Sequence, residues 1–139
     1  PRNSLPPSLD PRAVAERLNT LADRIVCVRG NCDSEVDQML LDFPVLADYA
    51  WVIDEGRRIF LTHGHVYGEE CRPKGSFDLL CQGHTHLPHI APQLDGSVCL
   101  NTGSPTFPKG GNPPTFALLD GRDLSLRLLD GTVWQSYQF

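Results

Sequence analysis

Apolar positions recur at helical spacing through the first forty residues, and from Tyr49 onward they alternate or gather in short runs between turn residues. Asp10-Pro11 supplies an N-cap and a first-turn proline, and Val14, Leu18 and Leu21 follow with Ala15 and Ala22 beside them. This predicts an amphipathic helix over Pro11 to Asp23. Ile25-Val26-Cys27-Val28 is apolar and largely β-branched, and predicts a buried strand that ends at Gly30. Asp33 or Ser34 caps a short helix carrying Val36, Met39 and Leu40, closed by Pro44.

Tyr49 to Ile53 and Arg58 to Thr62 read as strands joined by the turn Asp54-Glu55-Gly56-Arg57. Phe77 to Cys81 is the next strand. His89 to Leu94 and Val98 to Asn101 flank Asp95-Gly96, a second hairpin signal. After the Pro/Gly-rich stretch Thr102 to Pro114 come Thr115 to Leu119, Leu124 to Leu129 and Thr132 to Tyr137, separated by Asp120-Gly121 and Asp130-Gly131. Tyr67 to Ser76 is polar and carries no periodic pattern. Helices and strands followed by hairpin strands predict a layered α/β fold with mixed sheets.

Composition narrows the class. At 139 residues and 40% hydrophobic content the chain makes one domain, residues 1–139, with a real core. The net charge is −5 and no Lys/Arg run stands out, so no nucleic-acid polymer is expected as partner, while a nucleotide-sized substrate is compatible. No apolar run approaches the ~18 residues of a membrane span, and no signal-peptide pattern occurs. The cysteines are odd in number, with no C-x-x-C, and three of them (Cys27, Cys81, Cys99) lie in apolar runs, which predicts a reducing, cytoplasmic setting. The chain opens at Pro1 in a polar segment that reads as the middle of a loop.

The candidate chemistry lies in three loops, each following an apolar run: Gly30-Asn31-Cys32-Asp33, His63-Gly64-His65 and Gly83-His84-Thr85-His86. Imidazole nitrogen and amide oxygen suit a divalent ion such as Mn²⁺, Zn²⁺, Fe²⁺ or Ni²⁺. A glycine before His84 lets the backbone turn tightly, so that His84 and His86 converge on one pocket and each serves a different ion of a close pair. His63 directly follows a strand and reads as a ligand. His65 lies one glycine further out, at the rim or as an ordinary surface histidine, and His89 reads as structural. Asn31 is a ligand by its company and a turn residue by its type. Asp33 either orients a neighbour or caps the next helix. Cys32 is a weak acid, a nucleophile or a passive small residue. In Asn101-Thr102-Gly103-Ser104-Pro105, Gly103 and Ser104 either present N–H groups to an anion or form a plain tight turn.

Taken in order, Gly30-Asn31-x-Asp33, His63-Gly64-His65, Gly83-His84-Thr85-His86 and Asn101-x-Gly103-Ser104 resemble the motifs of the calcineurin-like metallophosphoesterases. The segments Arg29 to Leu40 and Pro108-Lys109-Gly110-Gly111-Asn112-Pro113 resemble the bacterial YfcE-type phosphodiesterases in particular. The resemblance spans essentially the whole chain. It implies a layered α/β sandwich of mixed β-sheets flanked by helices, and two divalent metal ions, Mn²⁺ foremost, with Zn²⁺, Ni²⁺ or Fe²⁺ as alternatives. Asn31, His63 and His84 would bind the second ion and His86 the first. Cys32 stands where many members carry a histidine that contacts the phosphate and assists the leaving group, although the YfcE-like subgroup also has Cys. The catalytic candidates are therefore Cys32, Asp33 and His65.

The family also uses an N-terminal Asp-x-His and a Gly-Asp whose carboxylate bridges the ions. No Asp-x-His occurs here, and Asp10 and Asp23 do not follow strands. Pro1-Arg2-Asn3 resembles the loop shortly after the bridging Asp, so the expectation is a truncated domain lacking its first β-α-β unit. The function expected of the intact protein is hydrolysis of a small phosphodiester by a bimetal-activated hydroxide. This chain alone is expected to show little turnover. A non-catalytic scaffold on the same fold and a single structural Zn²⁺ site are the alternatives, and a homo-oligomer is compatible.

Overall fold

The computed structural model describes residues 7–139. The Pro1-Arg2-Asn3 segment, read above as a loop, lies outside them. Helix α1 spans Pro11–Asn19, with the Asp10 carboxylate accepting the Ala13 N–H at 3.1 Å. It ends four residues short of the predicted Asp23, and a 3₁₀ turn at Ala22–Arg24 takes up the remainder. The Asn19 side chain donates to Leu40 O and accepts from Asp42 N, both at 2.9 Å, so it ties α1 to the second helix. Helix α2 spans Glu35–Leu40 and its N-cap is Ser34. The Asp37 carboxylate returns to Ser34 N at 2.8 Å, the reciprocal arrangement of a capping box. Asp33 is not the cap.

Five strands form a mixed sheet: β1 (Tyr49–Asp54), β2 (Arg57–Thr62), β3 (Leu79–Gln82), β4 (His89–Pro92) and β5 (Val98–Asn101), in the order β1-β2-β3-β5-β4. β2, β3 and β5 run parallel, while β1 and β4 are antiparallel edges. Pro92 ends β4 on the open side, where no ladder N–H is needed. The strand predicted from Phe77 begins at Leu79, because Asp78 is spent on β2: its carboxylate accepts Arg58 N at 2.7 Å and its N–H donates to Arg58 O at 2.9 Å. Strands β6 (Thr115–Asp120), β7 (Asp123–Leu128) and β8 (Val133–Gln138) make an antiparallel meander.

The main core lies between the two sheets. Ile59, Leu79, Ile90, Val98 and Leu100 of the first sheet meet Leu124 and Leu126 of the second. β3 and β5 are central and buried on both faces, so they read as continuous apolar runs, with Phe60, Phe77, Leu80 and Cys99 packed on the far side. Each fully buried leucine contributes roughly 1.5–3 kcal/mol by removal from water. The expected layered α/β fold is present.

Ile25-Val26-Cys27-Val28 is not a strand. It is extended at Ile25, but a strand exists only through a partner, and no described strand pairs with it. Arg29 N–H bonds to Ala47 O at 2.7 Å, and Val26 is exposed rather than buried.

The cysteines sort by burial. Cys32 and Cys71 are exposed, whereas Cys99 is buried and Cys81 packs against the inter-sheet core. Desolvation pushes the Cys81 thiol up to about 12 and raises those of Cys27 and Cys99. At pH 8, a thiol reagent will therefore label Cys32 and Cys71 in the native protein and leave Cys81 and Cys99 unmodified until denaturant is added. Peptide mapping of the labelled sites checks this, and rapid native labelling of Cys81 would contradict the packing.

Candidate metal centre

The parallel strands β2, β3 and β5 end at one edge of the sheet, the place where open α/β sheets hold ligands. His63 leaves β2, Gly83 leaves β3, and Asn101 closes β5 in register with Gln82. Gly83 N–H donates to His63 O, and Thr102 N–H to Gln82 O, both at 3.0 Å. These bonds carry the ladder past the strand ends and set the two histidine loops side by side. Gly64 between them has φ 109°, and a Cβ there would lie 3.2 Å from that of His84. The glycine thus permits the close approach.

Three predicted donors converge. Asn31 Oδ1 lies 2.8 Å from His63 Nε2, and His84 Nδ1 lies 3.2 Å from the same nitrogen. Asn31 Nδ2 points to Cys32 Sγ at 3.6 Å, which leaves its oxygen aimed at the histidines. Burial first, then the imidazoles of His84 and His65, lower the pKa of His63 below the ordinary histidine value. Its ring is therefore neutral at pH 7, the state a metal ligand requires.

The donor set fits a divalent ion. Nitrogen and oxygen atoms bound at about 2.0–2.1 Å to one centre stand roughly 3 Å apart, close to the spacing seen here. Among the described residues no three His, Cys, Asp or Glu side chains form a complete metal-binding group. The triad works only because it includes the amide oxygen of Asn31. His86 makes a different contact: its Nδ1 lies 2.6 Å from Phe107 O. A backbone carbonyl on one ring nitrogen leaves the other nitrogen available.

The turn that carries His84 and His86 departs from expectation. The left-handed backbone falls on the histidines themselves, with φ 63° at His84 and 62° at His86, and not on Gly83. Such residues cost about 1–3 kcal/mol each and persist where the surroundings over-determine them. Here that role belongs to Asn101, which is fully buried. Its Nδ2 donates to Gly83 O at 2.8 Å and to Thr85 Oγ1 at 2.9 Å, while its Oδ1 accepts Gly103 N–H at 3.0 Å.

That last bond bears on residues 101–105: the Gly103 N–H faces Asn101 and serves the turn, not an anion. Asp33 resolves similarly. Its carboxylate accepts Gly30 N–H at 2.6 Å and braces the turn that presents Asn31. His65 is exposed at the rim, its ring 5.1 Å from that of His63. Cys32 is exposed beside Asn31. His89 lies outside the cluster and pairs with Glu69 at 2.8 Å. Sequence reasoning missed Asn101 as the latch and the Phe107 carbonyl on His86. The only signal for the first was its position at the end of a strand parallel to the one before Gly83.

A two-sheet α/β sandwich with imidazole and amide donors converging at the strand ends defines a metallophosphoesterase. The chain belongs to the calcineurin-like phosphoesterase superfamily, whose domain model matches residues 10–123, and is therefore a hydrolase of the phosphoesterase class. It is 50% identical over 131 residues to the phosphodiesterase YfcE of Escherichia coli K12, covering 94% of this chain and 71% of that protein. A probable metallophosphoesterase of Methanothermobacter thermautotrophicus is 32% identical over 125 residues, covering 84% of this chain and 67% of that protein. The solved structure of YfcE, a phosphoesterase from E. coli, matches with a TM-score of 0.91 at 46% identity, over 99% of this chain and 76% of that one. No helix among the described residues is long and apolar enough to cross a membrane.

Proposed function

We propose that the protein hydrolyses small phosphodiesters in a reaction that depends on divalent metal, Mn²⁺ foremost. The observation that carries this reading is the convergence of Asn31 Oδ1, His63 Nε2 and His84 Nδ1, in a chain half identical to a phosphodiesterase. Asn31, His63 and His84 would hold one ion, and His86 would contribute to a second. Such ions supply Lewis-acid polarisation of a phosphoryl oxygen and lower the pKa of water toward neutrality. His65, exposed beside His63, would donate to a substrate phosphoryl oxygen. The Cys32 thiol, exposed beside Asn31, would give a proton to the departing alkoxide. Asp33 acts at one remove by holding the Gly30-Asn31 turn.

The test is release of the aryl alcohol from an aryl phosphodiester by the natural gene product that carries these residues. Turnover is expected with Mn²⁺, lost on chelation and restored by the ion. A 139-residue polypeptide assayed alone is expected to turn over little, since His86 is its only assigned donor to the second ion. Turnover indifferent to chelation would overturn the metal reading. No turnover with Mn²⁺, Zn²⁺, Ni²⁺ or Fe²⁺ would favour a binding protein on this fold.

A further inference from the structure

We propose that the outer face of the five-stranded sheet holds a second ligand site, for a planar aromatic anion of the mononucleotide class. A cavity of about 460 Å³ opens there, within the roughly 300–1,000 Å³ of small-molecule pockets. Its aromatic walls are Tyr49, Trp51, Phe60 and Tyr67, its charged rim is Arg72 and Lys74, and no carboxylate lines it. It is independent of the metal reading above.

The floor is a cluster of aromatic rings. Tyr49 lies nearly parallel to Phe60, with centroids 5.1 Å apart and 14° between the planes. Phe60 is 3% exposed and Tyr49 46%, so Tyr49 is the outer layer. Tyr67 stands edge-on to both rings, at 5.7 and 6.1 Å. Trp51 meets the edge of Phe60 at 5.0 Å, and the Arg58 guanidinium lies 4.9 Å from its ring centre. A flat ring entering the cavity meets the aromatic side chains of Tyr49, Trp51, Phe60 and Tyr67. Base-on-aromatic stacking is worth about 1–3 kcal/mol per base.

The rim supplies the charge. Arg72 is immobilised: Asp95 at 2.7 Å, Ser97 at 2.6 Å and the Phe77 ring at 4.8 Å hold it. Its charge is therefore already offset. Lys74 makes no ion pair and no hydrogen bond within the described residues. An uncompensated ammonium beside an aromatic floor, in a chain of net charge −5, selects a ligand that is flat at one end and anionic at the other. The cavity is too small for a folded partner. Thr62 joins it to the metal centre, since its hydroxyl donates to Tyr67 O at 3.1 Å and accepts Gly64 N–H at 3.4 Å.

The test uses Trp51 as reporter in a Trp134→Phe background, excited at the red edge and titrated with AMP in the presence of chelator. Saturable quenching is expected with AMP, at least about tenfold weaker affinity with adenosine, and none with inorganic phosphate. Lys74→Glu is expected to weaken AMP by about tenfold or more, Tyr49→Leu likewise by loss of an aromatic ring, and His63→Ala to leave it unchanged. Circular dichroism of each variant establishes that it is folded. No saturable quenching, or affinity untouched by Lys74→Glu, would overturn the site. Loss of AMP binding in His63→Ala would place the nucleotide in the metal centre and overturn it as well. None of these readouts requires turnover, so failure of this site and failure of the phosphodiesterase reading are separable.

Discussion

His63→Ala is expected to lower the affinity for Mn²⁺ at least about hundredfold, since groups that merely orient a metal ligand are worth about 10–100-fold by themselves. His63 is the hub of the triad: its Nε2 is the atom that both Asn31 Oδ1 and His84 Nδ1 approach. Removing it leaves an amide oxygen and one imidazole, too few donors to compete with water for the ion. The residue follows β2 and is not part of the core, so the fold should persist, with thermal unfolding moved by only a few degrees. Isothermal titration with Mn²⁺, paired with a melting curve, gives both numbers. Undiminished affinity in a folded variant would remove Asn31, His63 and His84 as the ion's site. His65→Ala, one residue beyond Gly64, is the matching control, with a much smaller effect on affinity.

Gly103→Val is expected to cost about 3–5 kcal/mol of stability, and so to leave little folded protein near body temperature. The backbone there has φ 72°, a conformation that a β-branched residue resists. A Cβ would also fall 2.9 Å from Pro88 Cβ and closer still to Thr115 Oγ1. Neither neighbour can give way easily. Pro88 is a rigid, buried ring, and Thr115 is fully buried with its hydroxyl bonded to Thr102 O at 2.9 Å. The damage should reach the metal centre, because Gly103 N–H bonds to the amide that latches the His84–His86 turn. Urea unfolding measures the loss. A variant as stable as the parent would show that this loop adjusts freely and that Asn101 does not depend on it.

How far the chain could be read from residues alone varied from element to element, for physical reasons. The β6–β8 meander was legible nearly to the residue, because Asp-Gly turns and alternating apolar positions are local signals. α1 was legible at its start, where Asp10 and Pro11 act within one turn, and not at its end, where Asn19 is claimed by Leu40 and Asp42. Ile25–Val28 was misread because β propensity describes a segment, while a strand also needs a neighbour. The strain at His84 and His86 was invisible, since glycine was the obvious residue for a tight turn, and a buried amide from a distant strand made it unnecessary there.

By itself the sequence determined the donor types, their order and the strands that lead into the two histidine loops, though not the segment before Asn31, since apolar runs and turn residues act over a few positions and the four motifs follow one another along the chain. That was enough to indicate a phosphoesterase and to nominate Asn31, His63, His84 and His86. Only the tertiary structure decided which of them meet. The parallel register of β2, β3 and β5 brings to one edge His63 and His84, 21 residues apart, and Gly83 and Asn101, 18 apart, a long-range pairing that no local pattern encodes. The division of the histidines was already implied by the family resemblance; the structure added the contacts, His63 and His84 with Asn31 and His86 against Phe107, because side-chain direction depends on backbone conformations that buried neighbours impose.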